Sequence, residues 1–383
     1  MSVTSAQGFL ASGVVAGLKE SGVADVALVV NNGPEYAAAG VFTANKIKAA
    51  PVIWSAQVVK AGELRVVALN SGGANACTGP QGFADTHRSA EHVGALLDCG
   101  AGEVAVCSTG LIGELLPMEK LLAGYDAAAA ELGSDGGAAA AAAIMTTDTI
   151  AKTASVSMGD FTVGGMAKGA GMLAPGLATM LSVITTDAVV DAKTLDTVLR
   201  KAVATTFDRI DSDGCMSTND TVLLLASGAR GYEPSIDEIQ SATTSVCKQL
   251  SRALIGDAEG ASKDIQIKVL GAANEADALV VARAISRSNL LKCAMHGEDP
   301  NWGRVISAAG TTDAQFEPDE IAVAINGIWV CRKGSVGESR SLVDMSGRDI
   351  VIEVDLHAGA VDLSLWTNDL TADYVHENSA YST

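Results

Sequence analysis

The stretch Lys168-Gly169-Ala170-Gly171-Met172-Leu173-Ala174-Pro175-Gly176-Leu177-Ala178-Thr179-Met180-Leu181-Ser182-Val183-Ile184-Thr185-Thr186 changes character at its middle. Its first half, with Gly164-Gly165 upstream, reads as a flexible glycine-rich loop. Its second half is β-branched and aliphatic, which predicts a buried strand over residues 180–185. Thr179 stands at the junction. Gly169 to Ala174 also fits the dinucleotide pattern G-x-G-x-x-A, but that pattern needs a helix after it, because the helix N-terminus holds the pyrophosphate. Here Pro175 and Gly176 follow, and then a strand. The pattern does not point to NAD.

Outward from this junction, apolar runs alternate with helical stretches. Strands are expected over residues 65–69, 103–107, 222–226 and 265–270. Helices are expected over 84–97, from 117, over 193–206, 236–255 and 275–286. Residues 127–143 are alanine-rich and read as helix interrupted by glycines near 133–137. The end of the chain, with runs at 320–324, 351–355 and 361–366, reads as strand-rich. The mixture predicts an α/β (α+β) architecture of large sheets covered by helices. No repeat or Pro/Ser-rich linker divides it, so the halves should pack together.

Composition narrows the function. Of 383 residues, 48% are hydrophobic, 19% charged and only 4% aromatic, so aliphatic side chains and alanine must build the core. The formal net charge of −19 repels nucleic acid and anionic membranes. No run reaches the roughly 18 apolar residues of a membrane span, and the N-terminal stretch does not read as a signal peptide, so the expected location is cytoplasmic. Seven cysteines, odd in number, widely spaced and without C-x-x-C, argue for reduced and mostly buried thiols. There is no G-x-S-x-G, H-E-x-x-H or P-loop. His87 and His92 are five apart, off the spacing that puts two ligands on one helix face, so no metal is expected. Asn301-Trp302-Gly303-Arg304 reads as a packing anchor.

One set of motifs adds more. Lys168 to Leu181, continued by Thr185-Thr186-Asp187-Ala188, resembles the self-cleavage site of the ornithine acetyltransferase (bifunctional glutamate N-acetyltransferase) family. The resemblance extends through Asn70-Ser71-Gly72, Ala74-Asn75-Ala76-Cys77-Thr78-Gly79, Cys107-Ser108-Thr109-Gly110, Met145-Thr146-Thr147-Asp148, Ser217-Thr218-Asn219-Asp220-Thr221, Asp299-Pro300-Asn301-Trp302-Gly303-Arg304 and Glu377-Asn378-Ser379-Ala380-Tyr381. Gly73 and Gly176 stand where many members carry Asn.

The resemblance implies an N-terminal-nucleophile-like enzyme that cuts itself between Ala178 and Thr179. Residues 1–178 would form one chain. Residues 179–383 would form the other, with a strand-rich part from about 260. Thr179 would be the nucleophile, its hydroxyl proton taken by the α-amine that the cut frees, whose reference pKa is about 7.7–8.0. Thr109 and Gly110 would form the oxyanion hole. Thr146 (or, one register along, Thr147), Lys168, Thr179, Glu259, Asn378 and Thr383 would bind substrate. The implied reaction moves an acetyl group from N-acetylornithine to glutamate through an acetyl-threonine, with acetyl-CoA an additional donor in some members and no cofactor. The implied assembly is a heterotetramer of two copies of each fragment. A hydrolase of the β-peptide-cleaving aminopeptidase group and a non-enzymatic binding protein that keeps the fold are the rival readings.

Overall fold

The computed structural model describes residues 2–174 and 180–380. Ala178, Thr179 and Thr383 lie outside the described residues. Nine strands come first: β1 (Phe9–Val14), β2 (Val26–Asn31), β3 (Ala38–Phe42), β4 (Val66–Asn70), β5 (Val104–Ser108), β6 (Lys152–Ser157), β7 (Thr162–Lys168), β8 (Leu181–Thr186) and β9 (Thr221–Ala226). They form a four-stranded sheet, β1-β2-β4-β5, and a five-stranded sheet, β3-β9-β8-β7-β6. Strand alternation stacks the two. Val67, Leu69, Ala105 and Cys107 of the first sheet meet Leu181, Val183, Leu223 and Leu225 of the second in one shared core.

The outer faces are covered by helices. α1 (Ala50–Val58) lies beside β5, and α2 (Gly79–Leu96) and α3 (Met118–Ala130) cover the first sheet, whereas α4 (Gly137–Ala143) packs on β1 and β2 from the inner side, its alanines joining the shared core. α5 (Ala192–Thr205) and α6 (Ile236–Gly256) bury Val198, Leu199, Val246 and Leu250 against Ile184, Val222 and Leu224, the opposite face of the second sheet. Local signals fix the starts of both. Asp191 accepts the Thr194 amide at 3.0 Å, and Ser235 with Glu238 makes a reciprocal capping box.

The remainder has its own core. β10 (Asp264–Ala272), β11 (Ala322–Ile325), β12 (Ile328–Arg332), β13 (Ser335–Val336), β14 (Asp349–Asp355) and β15 (Val361–Asn368) form a six-stranded sheet. α7 (Glu275–Ser286), α8 (Asn289–His296) and α9 (Trp302–Ala309) pack on it, and α10 (Ala372–Ala380) ends the described chain. Trp302 opens α9 and packs on this core, as a packing anchor should. Among the described residues no helix is long and apolar enough to cross a membrane.

Two expectations need correction. Gly164 and Gly165 belong to β7 and not to a loop. A Cβ on Gly164 would stand 2.2 Å from the Ser2 carbonyl oxygen, and one on Gly165 would stand 3.0 Å from Val246. These glycines permit close approach, which sequence alone cannot distinguish from flexibility. The thiols are not mostly buried either: Cys107, Cys247 and Cys331 are, whereas Cys77, Cys215 and Cys293 are exposed. Cys77 lies in a turn at φ 58° and Cys293 on the outer side of α8, so neither position faces a core.

Candidate active site

The carboxyl end of β5 runs into Thr109 and Gly110, and several contacts fix this turn. The Thr109 amide donates to the Asn70 carbonyl at 3.0 Å, and the Thr109 carbonyl accepts from the Gly73 amide at 3.0 Å. Both backbone groups of Thr109 are therefore occupied, leaving its hydroxyl as the group with a choice of partner. The Ser108 hydroxyl donates to Asn70 Oδ1 at 2.6 Å. From the other sheet, Asn219 Nδ2 donates to the carbonyls of Ala74 (2.6 Å) and Ser108 (2.8 Å). Gly110 has φ 129°, and a Cβ there would come within 2.8 Å of the Gly73 nitrogen, so only glycine fits.

Lys168 ends β7 and is a core residue, with a side chain only 2% exposed. Its Nζ donates to Thr146 Oγ1 at 2.7 Å and to Thr109 Oγ1 at 3.4 Å, with Asp148 Oδ2 at 3.9 Å. Burial pulls the ammonium pKa down, and the Asp148 charge pulls it back up. Asp148 itself accepts three hydrogen bonds. Lys152 Nζ (2.7 Å) and the Gly169 amide (2.6 Å) reach its Oδ1, while the Thr146 amide (2.9 Å) reaches its Oδ2. Burial alone would raise the Asp148 pKa, but Lys168 and Lys152 outweigh it and hold the carboxyl at about 2. Lys152, fully buried, also donates to Asp257 Oδ2 at 2.5 Å.

Glu259 follows α6. Its Oε1 accepts from Thr147 Oγ1 at 2.7 Å, and its Oε2 accepts from Asn378 Nδ2 of α10 at 2.9 Å. Gly171 makes room for it, since a Cβ there would meet both carboxylate oxygens at 2.6 Å. Thr146 thus holds the cation and its neighbour Thr147 the anion. Glu259 also lines two cavities of about 400 Å³ each, one continuing to Asp213, Lys292 and Tyr374, the other to Asp257, Arg348 and His376.

Asp220 precedes β9 beside the start of β8. Its Oδ1 accepts from the Met180 amide at 3.0 Å, and its Oδ2 is buried without a partner among the described residues. Burial drives the Asp220 carboxyl well above the usual carboxylate range, against the opposing pull of the Met180 amide and Lys168.

The described residues singled out from sequence, Thr109, Gly110, Thr146, Lys168, Glu259 and Asn378, therefore gather at one end of the stacked sheets through the contacts above. Thr179 and Thr383 lie outside the described residues. His87 and His92 do not converge: His87 pairs with Glu91, and His92 with Asp126. Sequence reading assigned no role to Asp148, Lys152, Asn219 or Asp220. Asp148, Asn219 and Asp220 lie inside quoted motifs, whereas nothing local marks Lys152.

Stacked sheets covered by helices, with polar groups gathered at one end of the stack, make this a mixed α/β enzyme fold. The chain belongs to the ArgJ family, whose description matches residues 10–383. It is 66% identical over 382 residues to the arginine biosynthesis bifunctional protein ArgJ of Streptomyces avermitilis, with 100% of both chains covered. To the protein of the same name from Mycobacterium tuberculosis it is 55% identical over 388 residues, covering 99% of this chain and 96% of that one. The crystal structure of ornithine acetyltransferase complexed with ornithine from Mycobacterium tuberculosis aligns at 59% identity and TM-score 0.45, over 47% of this chain and 96% of that chain. The protein is a transferase of arginine biosynthesis.

Proposed function

We propose that the protein moves an acetyl group from N-acetylornithine to glutamate through an acetyl ester on Thr179, after opening its own backbone between Ala178 and Thr179. The observation that carries the substrate class is the pair of adjacent threonines: Thr146 bonded to the buried Lys168, and Thr147 bonded to Glu259. A cation and an anion presented side by side suit the carboxylate and ammonium of an amino acid. Lys168 takes the α-carboxylate, and Glu259 the side-chain ammonium of ornithine. Asn378 and Thr383 close the pocket from the chain end.

In the self-cleavage, Thr179 Oγ attacks the Ala178 carbonyl carbon. The C–N bond breaks, the hydroxyl proton ends on the nitrogen, and water hydrolyses the ester. In catalysis the freed amine takes the Thr179 hydroxyl proton while Oγ attacks the acetyl carbonyl, then passes the proton to the departing nitrogen of ornithine. The glutamate amine attacks the acetyl ester in turn. Each tetrahedral oxyanion is met by the Thr109 hydroxyl and the Gly110 amide. No cofactor enters this scheme, and acetyl-CoA serves only as a second acetyl donor. Residues 1–178 and 179–383 stay together as two fragments of one protomer, and two protomers make a cytoplasmic heterotetramer.

Intact-mass spectrometry of the purified protein tests the cleavage. Two fragments meeting between Ala178 and Thr179 are expected, with one full-length chain in Thr179→Ala. An active enzyme with a continuous chain would refute it. Labelled acetyl appearing on glutamate, and not as free acetate, separates the transferase from a hydrolase.

A further inference from the structure

Lys168 has two competing claims on its ammonium: the carboxylate of Asp148, and the hydroxyls of Thr146 and Thr109. Charge attraction favours the carboxylate. The structure shows the opposite choice, with Asp148 3.9 Å away and Thr146 Oγ1 at 2.7 Å. The cause is Lys152. Its ammonium sits 2.7 Å from Asp148 Oδ1 and 2.5 Å from Asp257 Oδ2, with its side chain wholly inside the protein. The Gly169 amide adds a second bond on Oδ1, and the Thr146 amide takes Oδ2, the oxygen nearer to Lys168. The second lysine is thereby displaced toward the hydroxyls.

A consequence follows for Thr109. An ammonium only donates, so the Thr109 hydroxyl accepts from Lys168 at 3.4 Å and its own proton must point elsewhere. We infer that Lys152 is a positioning residue: by occupying Asp148 it holds Lys168 on Thr109, and so presents the Thr109 hydroxyl as a donor to the reacting carbonyl oxygen. This rests on the reading of Thr109 as an oxyanion donor given above.

The arrangement makes a signed pH prediction. The groups acting on Lys168 are Asp148 and Glu259 on the two substrate-side loops, Lys152 on β6 and Asp220 beside β9; Lys19 near the N-terminus feels Lys168 in turn. Activity needs Lys168 charged and is lost as pH rises through its pKa. Removing the Lys152 charge lifts a like-charge repulsion and lets Lys168 close on Asp148. Both effects raise that pKa. Removing the Asp148 charge lowers it.

The test uses the full-length enzyme in three forms: Lys152→Met/Asp257→Asn, which keeps the four-residue cluster charge-balanced; Asp148→Asn; and Lys152→Arg. Acetyl transfer from N-acetylornithine to glutamate is followed across the alkaline range, with thermal unfolding as a fold control. The double variant should lose about tenfold or more in kcat, toward the ~10²–10³ of a lost oxyanion donor, with its alkaline limb displaced upward. Asp148→Asn should displace the limb downward, and Lys152→Arg should restore its position. Limbs that stay in place or move together overturn the inference, as does an undiminished kcat in the double variant. If the double variant does not fold, the direction of the Asp148→Asn limb decides. A parent that transfers no acetyl refutes the functional reading itself, a result distinct from an active parent whose variants do not shift.

Discussion

Replacing Gly110 by alanine is the sharpest probe of the turn after β5. The residue has φ 129°, where an alanine is strained by about 1–3 kcal/mol. The added methyl would stand 2.8 Å from the Gly73 nitrogen and 3.0 Å from its Cα, more than half an ångström inside ordinary contact for the nearer atom. Both are backbone atoms of a residue whose amide is bonded to the Thr109 carbonyl, so no side-chain rotation relieves the clash. The turn must open, carrying the Gly110 amide and the Thr109 hydroxyl away from where a developing oxyanion would sit. Loss of one such donor costs ~10²–10³ in rate, about 2.7–4 kcal/mol. Self-cleavage and acetyl transfer pass through the same kind of tetrahedral intermediate, so both should slow. Precursor half-life by mass spectrometry and kcat by labelled-acetyl transfer read the two, and denaturant unfolding reads the strain. A Gly110→Ala protein with both rates within a few-fold of the parent would refute the placement of the oxyanion hole.

Thr109→Val should lose ~10²-fold or more in kcat, whereas Thr109→Ser, which keeps the hydroxyl, should retain most activity in the same assay. Glu259→Gln should raise KM for N-acetylornithine by about 10–100-fold, the worth of a charge-assisted hydrogen bond of ~1.5–3 kcal/mol, with self-cleavage unaffected. Deleting residues 378–383 removes the Asn378–Glu259 contact and should cripple transfer while leaving cleavage and folding largely intact; a fully active truncation would count against the closing role of the tail. The Asp148 carboxyl, held at about 2 against an ordinary 3.8, has its pKa depressed by folding. It therefore stabilises the fold above pH 3.8, and about 2 kcal/mol is lost as pH falls toward 2. Urea unfolding across that interval should show this slope in the parent and lose it in Asp148→Asn.

Much of the fold was legible because the signals were local. Residues 275–286 read as a helix and are one, and the alanine-rich stretch breaks where its glycines fall, with α3 ending at Ala130 and α4 beginning at Gly137. β7 was missed because Gly164 and Gly165 owe their identity to Ser2 and to α6, far away in sequence. At the site, Thr109, Gly110, Lys168 and Glu259 were named through a family resemblance, and the structure gathers them. Lys152 escaped notice for a physical reason. A lone lysine at a strand start is ordinarily solvated, and the partner that buries it, Asp257, lies 105 positions along the chain. Asp220 was invisible as a titrating group because only enclosure raises its carboxyl pKa.

The five-stranded sheet is woven across the proposed cut. β7 pairs with β8 over six residues and β3 with β9 over five, and in each pair the strands would belong to different fragments. The fold must therefore be complete before the backbone opens, and hydrolysis alone cannot release either piece. Once denatured, however, a chain cut as proposed would have no covalent memory of its partner. Its renaturation becomes a second-order encounter between two polypeptides, slower on dilution, while an uncut Thr179→Ala chain renatures at a concentration-independent rate. If the chain cuts itself as proposed, it is assembled as one molecule and afterwards persists by the slowness of its own unfolding.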